Sequence, residues 1–291
     1  MKLGVVYPQN ELHGDPAGIH EIGLAVESLG YDSLLFYDHV AGAEHADREP
    51  PLWGPYTEHD SFHDPFVAFG YLAAITSRIE LATGVMILPQ RQTVLAAQQA
   101  ADADLLSHGR LRIGVGTGWN WVEYDALGMD FATRGARLDE QIALMRQLWA
   151  QPLVTFDGRF HQLDRCCINP RPTRQIPIWI GGFSEAAFRR GGTVGDGFTF
   201  AGDPADAVVG LERVRAHLRE AGRSDEGFGL ELILTRARTV AQVVETAERW
   251  QETGGNAVSV LTQKLGLDSI AGHVDHLAQC KSALDAAIGS R

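Results

Sequence analysis

The run Ser33-Leu34-Leu35-Phe36-Tyr37-Asp38-His39 ends an otherwise apolar stretch with two ionisable residues. An imidazole exchanges protons near neutral pH, and a neighbouring carboxylate can orient it or accept a ring hydrogen bond. His39 and Asp38 are therefore the candidate catalytic residues; the plainer alternative is a polar strand end that caps a helix. Glycines supply the remaining signals. Gly84, followed by Val85, interrupts a β-branched run, which marks a bulge, a packing contact or the close approach of a ligand to backbone. Gly114-Val115-Gly116-Thr117-Gly118-Trp119 has the look of a dinucleotide fingerprint, but no helix starts at once and the first strand-to-helix turn of the chain lacks glycine. Strand-ending glycines before a tryptophan, with Thr117 and Gly118 at the tip, suit a flat ring system lying against backbone. Gly181-Gly182-Phe183-Ser184 opens a short helix whose first N–H groups form either an anion site or simply a tight turn, with Arg189 and Arg190 a turn or two further on.

His45, His59 and His63 crowd one segment with Asp47, Asp60 and Asp64, and a helix there would put His59 and His63 on one face. Zinc needs a complete ligand set. Asp64 is committed to capping and no strand-end carboxylates complete such a set, so no metal is expected. The chain has no G-x-S-x-G elbow and no P-loop.

These residues must be held by something, and the pattern of the chain says what. Short β-branched runs predict strands at 2–8, 33–39, 79–87, 111–118, 176–182, 197–202, 228–235 and 257–262. Helical patterns fill the intervals at 16–29, 65–77, 93–107, 133–150, 184–191, 204–221, 239–253 and 269–288. Strict alternation implies a parallel sheet, and strands such as Ala257-Val258-Ser259-Val260-Leu261 are apolar throughout, as strands covered on both faces are. Eight units favour a closed (β/α)8 TIM barrel over an open doubly wound sheet, in one domain spanning 1–291. Asp64-Pro65, Asp203-Pro204 and Ser184-Glu185 read as helix starts, and Gly109 as a helix stop. Two strand-to-strand steps are long. The insertions are the loop 40–63 and a stretch combining the loop 119–132 with a hairpin near 153–164 that turns at Asp157-Gly158. Strand-to-helix loops lie on the catalytic face of a barrel, so 40–63 and 119–132 are candidate lids.

Composition narrows the classes. A 45% hydrophobic chain of 291 residues builds a large core, and a net charge of −12 repels phosphate backbones, so no nucleic-acid partner is expected. Three cysteines without a C-x-x-C pair, no signal-like start and no apolar run long enough to cross a membrane point to a cytoplasmic protein.

Together these segments resemble the luciferase-like monooxygenase superfamily, especially its branch that uses the deazaflavin coenzyme F420. The resemblance is close over residues 1–203. It rests on Glu27-Ser28-Leu29-Gly30-Tyr31-Asp32-Ser33 leading to Asp38-His39, on Asp64-Pro65-Phe66, and on Arg78-Ile79-Glu80-Leu81-Ala82-Thr83-Gly84-Val85. Ser107-His108-Gly109-Arg110-Leu111, Gly116-Thr117-Gly118-Trp119 and Ile178-Trp179-Ile180-Gly181-Gly182 complete it. The resemblance implies a luciferase-like barrel with F420, or alternatively FMN, across its mouth. Asp38 and His39 would sit beside the ring, His39 donating or accepting a proton. Gly84 and Val85 would form the bulge behind the ring, where relatives carry a cis peptide. Thr117 and Gly118 would touch the ring edge or tail, and Gly181 and Gly182 the cofactor phosphate. Trp53 and Tyr56 are candidates for the substrate pocket, and a homodimer is expected. The sequence departs from the pattern in two places. Trp119 stands where some deazaflavin enzymes carry an acid, which leaves a second acid unassigned, and Gly191-Gly192 follow Arg189-Arg190 where relatives have an alanine-rich helix. The implied activity is hydride transfer between F420 and a small organic substrate. The rivals are an FMN-dependent two-component monooxygenase, a non-catalytic flavin-binding protein on the same barrel, and a metal-dependent barrel hydrolase.

Overall fold

The structure, a computed structural model, describes residues 1–289. Aspartate or serine side chains cap the helices where the sequence places them. Asp15 and Asp64 accept backbone N–H groups ahead of Pro16 and Pro65, opening α1 (Pro16–Ser28) and α2 (Pro65–Ile75). α3 (Thr93–Leu106) stops at a left-handed Gly109, whose N–H bonds back to the Asp104 carbonyl.

The strands β1 (Lys2–Val6), β2 (Ser33–Phe36), β3 (Glu80–Thr83) with its continuation β4 (Met86–Ile87), β5 (Leu111–Gly116), then β8 (Ile178–Gly181), β9 (Gly197–Phe200), β10 (Gly229–Ile233) and β11 (Ala257–Leu261) run parallel. β6 (Val154–Asp157) and β7 (Gln162–Cys166) form a separate antiparallel hairpin. The order β3-β2-β1-β11-β10-β9-β8-β5 closes on itself because β3 also pairs with β5, Leu81 facing Leu111 and Ala82 facing Arg112. The chain is a (β/α)8 barrel. α4 (Trp121–Ala126), α5 (Arg134–Ala150), α6 (Glu185–Val194), α7 (Pro204–Glu220), α8 (Val240–Glu252) and α9 (Ile270–Ile288) complete the helices. α4 was not expected: the segment 119–132 holds a short helix. The strand expected at 79–87 is split at Gly84-Val85. Among the described residues no helix is long and apolar enough to cross a membrane.

Alternate residues of the strands fill the barrel. A polar tier lies lower: Arg112 pairs with Glu80 at 2.6 Å and Glu231 at 3.1 Å, Thr199 and Ser259 also donate to Glu231, and the guanidinium stacks on Trp179. Above it, towards the C-terminal ends of the strands, Val6, Leu35, Ala82, Ile233 and Leu261 form an apolar tier. That tier is the floor of the catalytic face.

The Glu27–Ser33 motif is structural. The Glu27 carboxylate accepts the N–H groups of Ser77, Arg78 and Ile79, tying the end of α1 to the turn before β3. Partial burial alone would raise the Glu27 pKa, but the N–H groups and the Ser77 hydroxyl outweigh it and hold the carboxyl at about 2, against an ordinary 4.5. A group whose folded pKa is depressed stabilises the fold above its unfolded pKa and stops doing so as pH falls through the folded value. Glu27→Gln is therefore expected to lower the urea midpoint at neutral pH, with the gap to wild type closing as the pH drops from about 4.5 to about 2. A gap that stays constant over that window would show that the charge contributes nothing.

Candidate active site

His39 leaves the C-terminal end of β2 into a dry aromatic box: its ring lies 4.9 Å from Phe62, 5.2 Å from Tyr56 and 5.6 Å from Trp119, centroid to centroid. The side chain is 10% exposed. Its Nδ1 meets Oε2 of Glu123 at 3.0 Å, and the other carboxylate oxygen accepts the backbone N–H groups of Val40 and Ala41. Burial alone would raise the Glu123 pKa; the His39 ring and the two N–H groups more than offset that and lower it, so the residue stays ionised at neutral pH. A carboxylate beside Nδ1 takes the N–H there and leaves Nε2 as the nitrogen free to exchange a proton. Glu123 is presented by α4, whose start is fixed by Asn120: its side-chain oxygen accepts the Glu123 N–H.

Asp38 does not orient His39. Both residues lie just past the end of β2, and Asp38 turns, buried, to accept Ile87 N–H at 2.9 Å and Arg91 at 2.7 Å. Arg91 also reaches Asp64 at 2.9 Å, so one guanidinium joins the ends of β2 and β4 to the cap of α2. Burial alone would depress the Arg91 pKa, and the two carboxylates reverse that and raise it.

The glycines prove to have internal packing reasons. The Gly84–Val85 peptide is cis. The Val85 side chain lies in a socket of small residues: a Cβ added at Gly116 or Gly181 would come within 2.7 Å and 2.6 Å of its methyls, and one at Gly114 within 3.3 Å. Gly118 has φ +64° and faces Ile87; Gly182 has φ +145° and faces Ala187. The Thr117 carbonyl accepts the Tyr124 hydroxyl. Arg190 is turned away from the helix start, paired with Asp139 at 2.6 Å, and Arg189 is exposed. Trp53, at 79% exposed, lies outside the box, whereas Tyr56 lines the mouth. His59 and His63 are not helical, His59 pairing with Glu58, and among the described residues no group of three or more His, Cys, Asp or Glu could hold a metal ion. The loop 40–63 closes over the box, Gly54 lying flat on the Trp119 indole.

A cavity of about 320 Å³ opens at the mouth, bounded by Tyr37, Tyr56, Phe183, Ala201, Thr235 and Leu261. Going round the barrel, His39, Gly84-Val85, Thr117-Gly118 and Gly181-Gly182 follow the adjacent strands β2, β3/β4, β5 and β8. They occupy one half of the rim.

A parallel barrel with a histidine–glutamate pair and a small cavity at its C-terminal face defines an enzyme-like scaffold. The family model described as luciferase-like monooxygenase matches residues 1–276, and the chain belongs to that family. An uncharacterized protein of Mycobacterium tuberculosis is 33% identical over 205 residues, 69% of this chain and 71% of that one. Among solved structures, an F420-dependent secondary alcohol dehydrogenase in complex with an F420–acetone adduct superposes with a TM-score of 0.78 at 16% identity, covering 97% and 98% of the two chains. The FMN-bound oxygenating constituent of 3,6-diketocamphane monooxygenase from Pseudomonas putida gives 0.71 at 14%, covering 98% of each. At these identities the structures share the fold.

Proposed function

We propose that the protein is an F420-dependent oxidoreductase that moves a hydride between the deazaflavin and a small organic substrate. The observation that carries this reading is His39: a nearly dry imidazole, fixed by Glu123 at Nδ1, with Nε2 left for proton exchange. The apolar floor of Val6, Leu35, Ala82, Ile233 and Leu261, with Tyr37 packed against it, fits a flat aromatic heterocycle. Thr117 and Gly118 would border the ring, and the N–H groups at Gly181-Gly182 would take the phosphate. When bound, the deazaflavin supplies a carbon that gives or accepts a hydride. This chain supplies the rest: His39 takes the proton of an alcohol-like substrate at Nε2, or returns it in the reverse direction, and Glu123 stabilises the imidazolium. Asp38 positions the strand end that carries His39.

Separate titrations with F420 and FMN, following ring absorbance, test the cofactor. Micromolar F420 binding with FMN at least tenfold weaker is expected; selective FMN binding would replace this reading with the two-component monooxygenase, and tight binding of either without turnover would favour a flavin-binding protein.

We further infer a homodimer. α2 and α3 lie side by side and expose Val67 (74%), Tyr71 and Leu95, an apolar face of the kind that marks contacts between subunits. Size-exclusion chromatography with light scattering should find a dimer for wild type and a monomer for Val67→Asp/Leu95→Asp. A monomeric wild type ends the inference. Cys166, Cys167 and Cys280 are all free thiols, in keeping with the reducing cytoplasm in which we place the protein.

A further inference from the structure

The half of the rim opposite the residues assigned to the cofactor is cationic. Arg236 and Arg238 follow β10 and Lys264 follows β11, and all three line the mouth cavity, which among the described residues no carboxylate borders. None of the three is in an ion pair with a described carboxylate; Arg238 donates to the Gln263 carbonyl at 3.4 Å, and Glu11 is engaged by the Lys264 backbone N–H and lies 3.7 Å from buried His273. In a chain of net charge −12, three unpaired cations around one small hollow run against the average surface. The other polar groups there are already used: Thr235 bonds the Gly202 backbone and Gln263 bonds Asn10. What the hollow offers a ligand is therefore charge, two planar guanidinium forks and an ammonium, over an apolar floor.

We propose that the substrate carries an anionic head, a carboxylate or phosphate, that docks on Arg236, Arg238 and Lys264, while its reacting carbon lies towards His39. This rests on the F420 reading, which puts the cofactor phosphate at Gly181-Gly182 after β8, two strands round the rim from Arg236 and Arg238 and three from Lys264. Guanidinium forks match the paired oxygens of carboxylates and phosphates. The hollow also extends to Tyr56, whose ring is 5.2 Å from that of His39.

The probe is inorganic phosphate, titrated calorimetrically at constant ionic strength into protein saturated with F420, so that the cofactor phosphate site is filled. Saturable phosphate binding is expected, weakened about tenfold or more in Arg236→Ala/Arg238→Ala and largely kept in Arg236→Lys/Arg238→Lys. F420 affinity, read from ring fluorescence, should match wild type in both variants. Absence of saturable binding to wild type overturns the proposal, as does a variant that binds phosphate unchanged. A parallel loss of F420 affinity in the alanine variant overturns it too, because the cations would then hold the cofactor tail. If wild type does not bind F420, the cofactor reading fails separately, and the same comparison on cofactor-free protein still decides whether the anion site exists.

Discussion

Turnover in the His39→Ala protein should fall about a hundred- to ten-thousand-fold, the usual weight of one positioned acid–base group. F420 affinity should stay within a few-fold of wild type. The size of the effect follows from isolation: Phe62, Tyr56 and Trp119 exclude water from the imidazole, and its only polar partner among the described residues is Glu123, so no neighbour can take over the proton. Glu123→Gln is the companion variant. It keeps the shape of the contact to Val40 and Ala41 but removes the negative charge that stabilises imidazolium, so its rate should lie between wild type and His39→Ala, with an altered pH–rate profile. Rates of His39→Ala within a few-fold of wild type across the pH range would remove the residue from the chemistry.

Arg91→Met should cost about 3–5 kcal/mol of stability, enough to leave much of the protein unfolded at moderate urea. Asp38 is 1% exposed at its side chain and would be left with only the Ile87 N–H to answer it. Asp64, 34% exposed, can turn to water and contributes little to the loss. Uncompensated burial of charge is the cause, so Asp38→Asn/Arg91→Met should recover most of the stability, because an asparagine oxygen still accepts from Ile87. Equal instability of the single and double variants in urea denaturation would show that packing around the guanidinium, and not charge, is what matters.

The barrel was largely legible in the sequence because its strands are buried on both faces and its helices open on capping residues that act locally; each of the eight expected intervals holds strand, though 79–87 is split and 33–39 ends at Phe36, and the helix starts at Pro65 and Pro204 fall where expected. Glu123 was not. Its helix has six residues, too few for an apolar period to show, and its partnership with His39 exists only because two loops meet over the mouth. One local signal was present: Asn120 followed three residues later by Glu123 is the spacing of a helix start. Gly114, Gly116 and Gly181 were ambiguous for a deeper reason, since a glycine that admits a ligand and one that admits a neighbouring side chain leave the same mark in a sequence.

That ambiguity has a sequel in the fold. Two small positions on different strands, Gly116 on β5 and Gly181 on β8, are the imprint of a single valine, while Gly114 is kept bare chiefly by the Thr83 carbonyl, so the resemblance of Gly114-Val115-Gly116 to a nucleotide fingerprint is a by-product of how β3 and Val85 pack on β5. The bulk at position 85 and the bareness of the other two form one inherited trait written in three places. A lineage that enlarged one would first have to trim the other, and the identities at these sites should drift together or not at all.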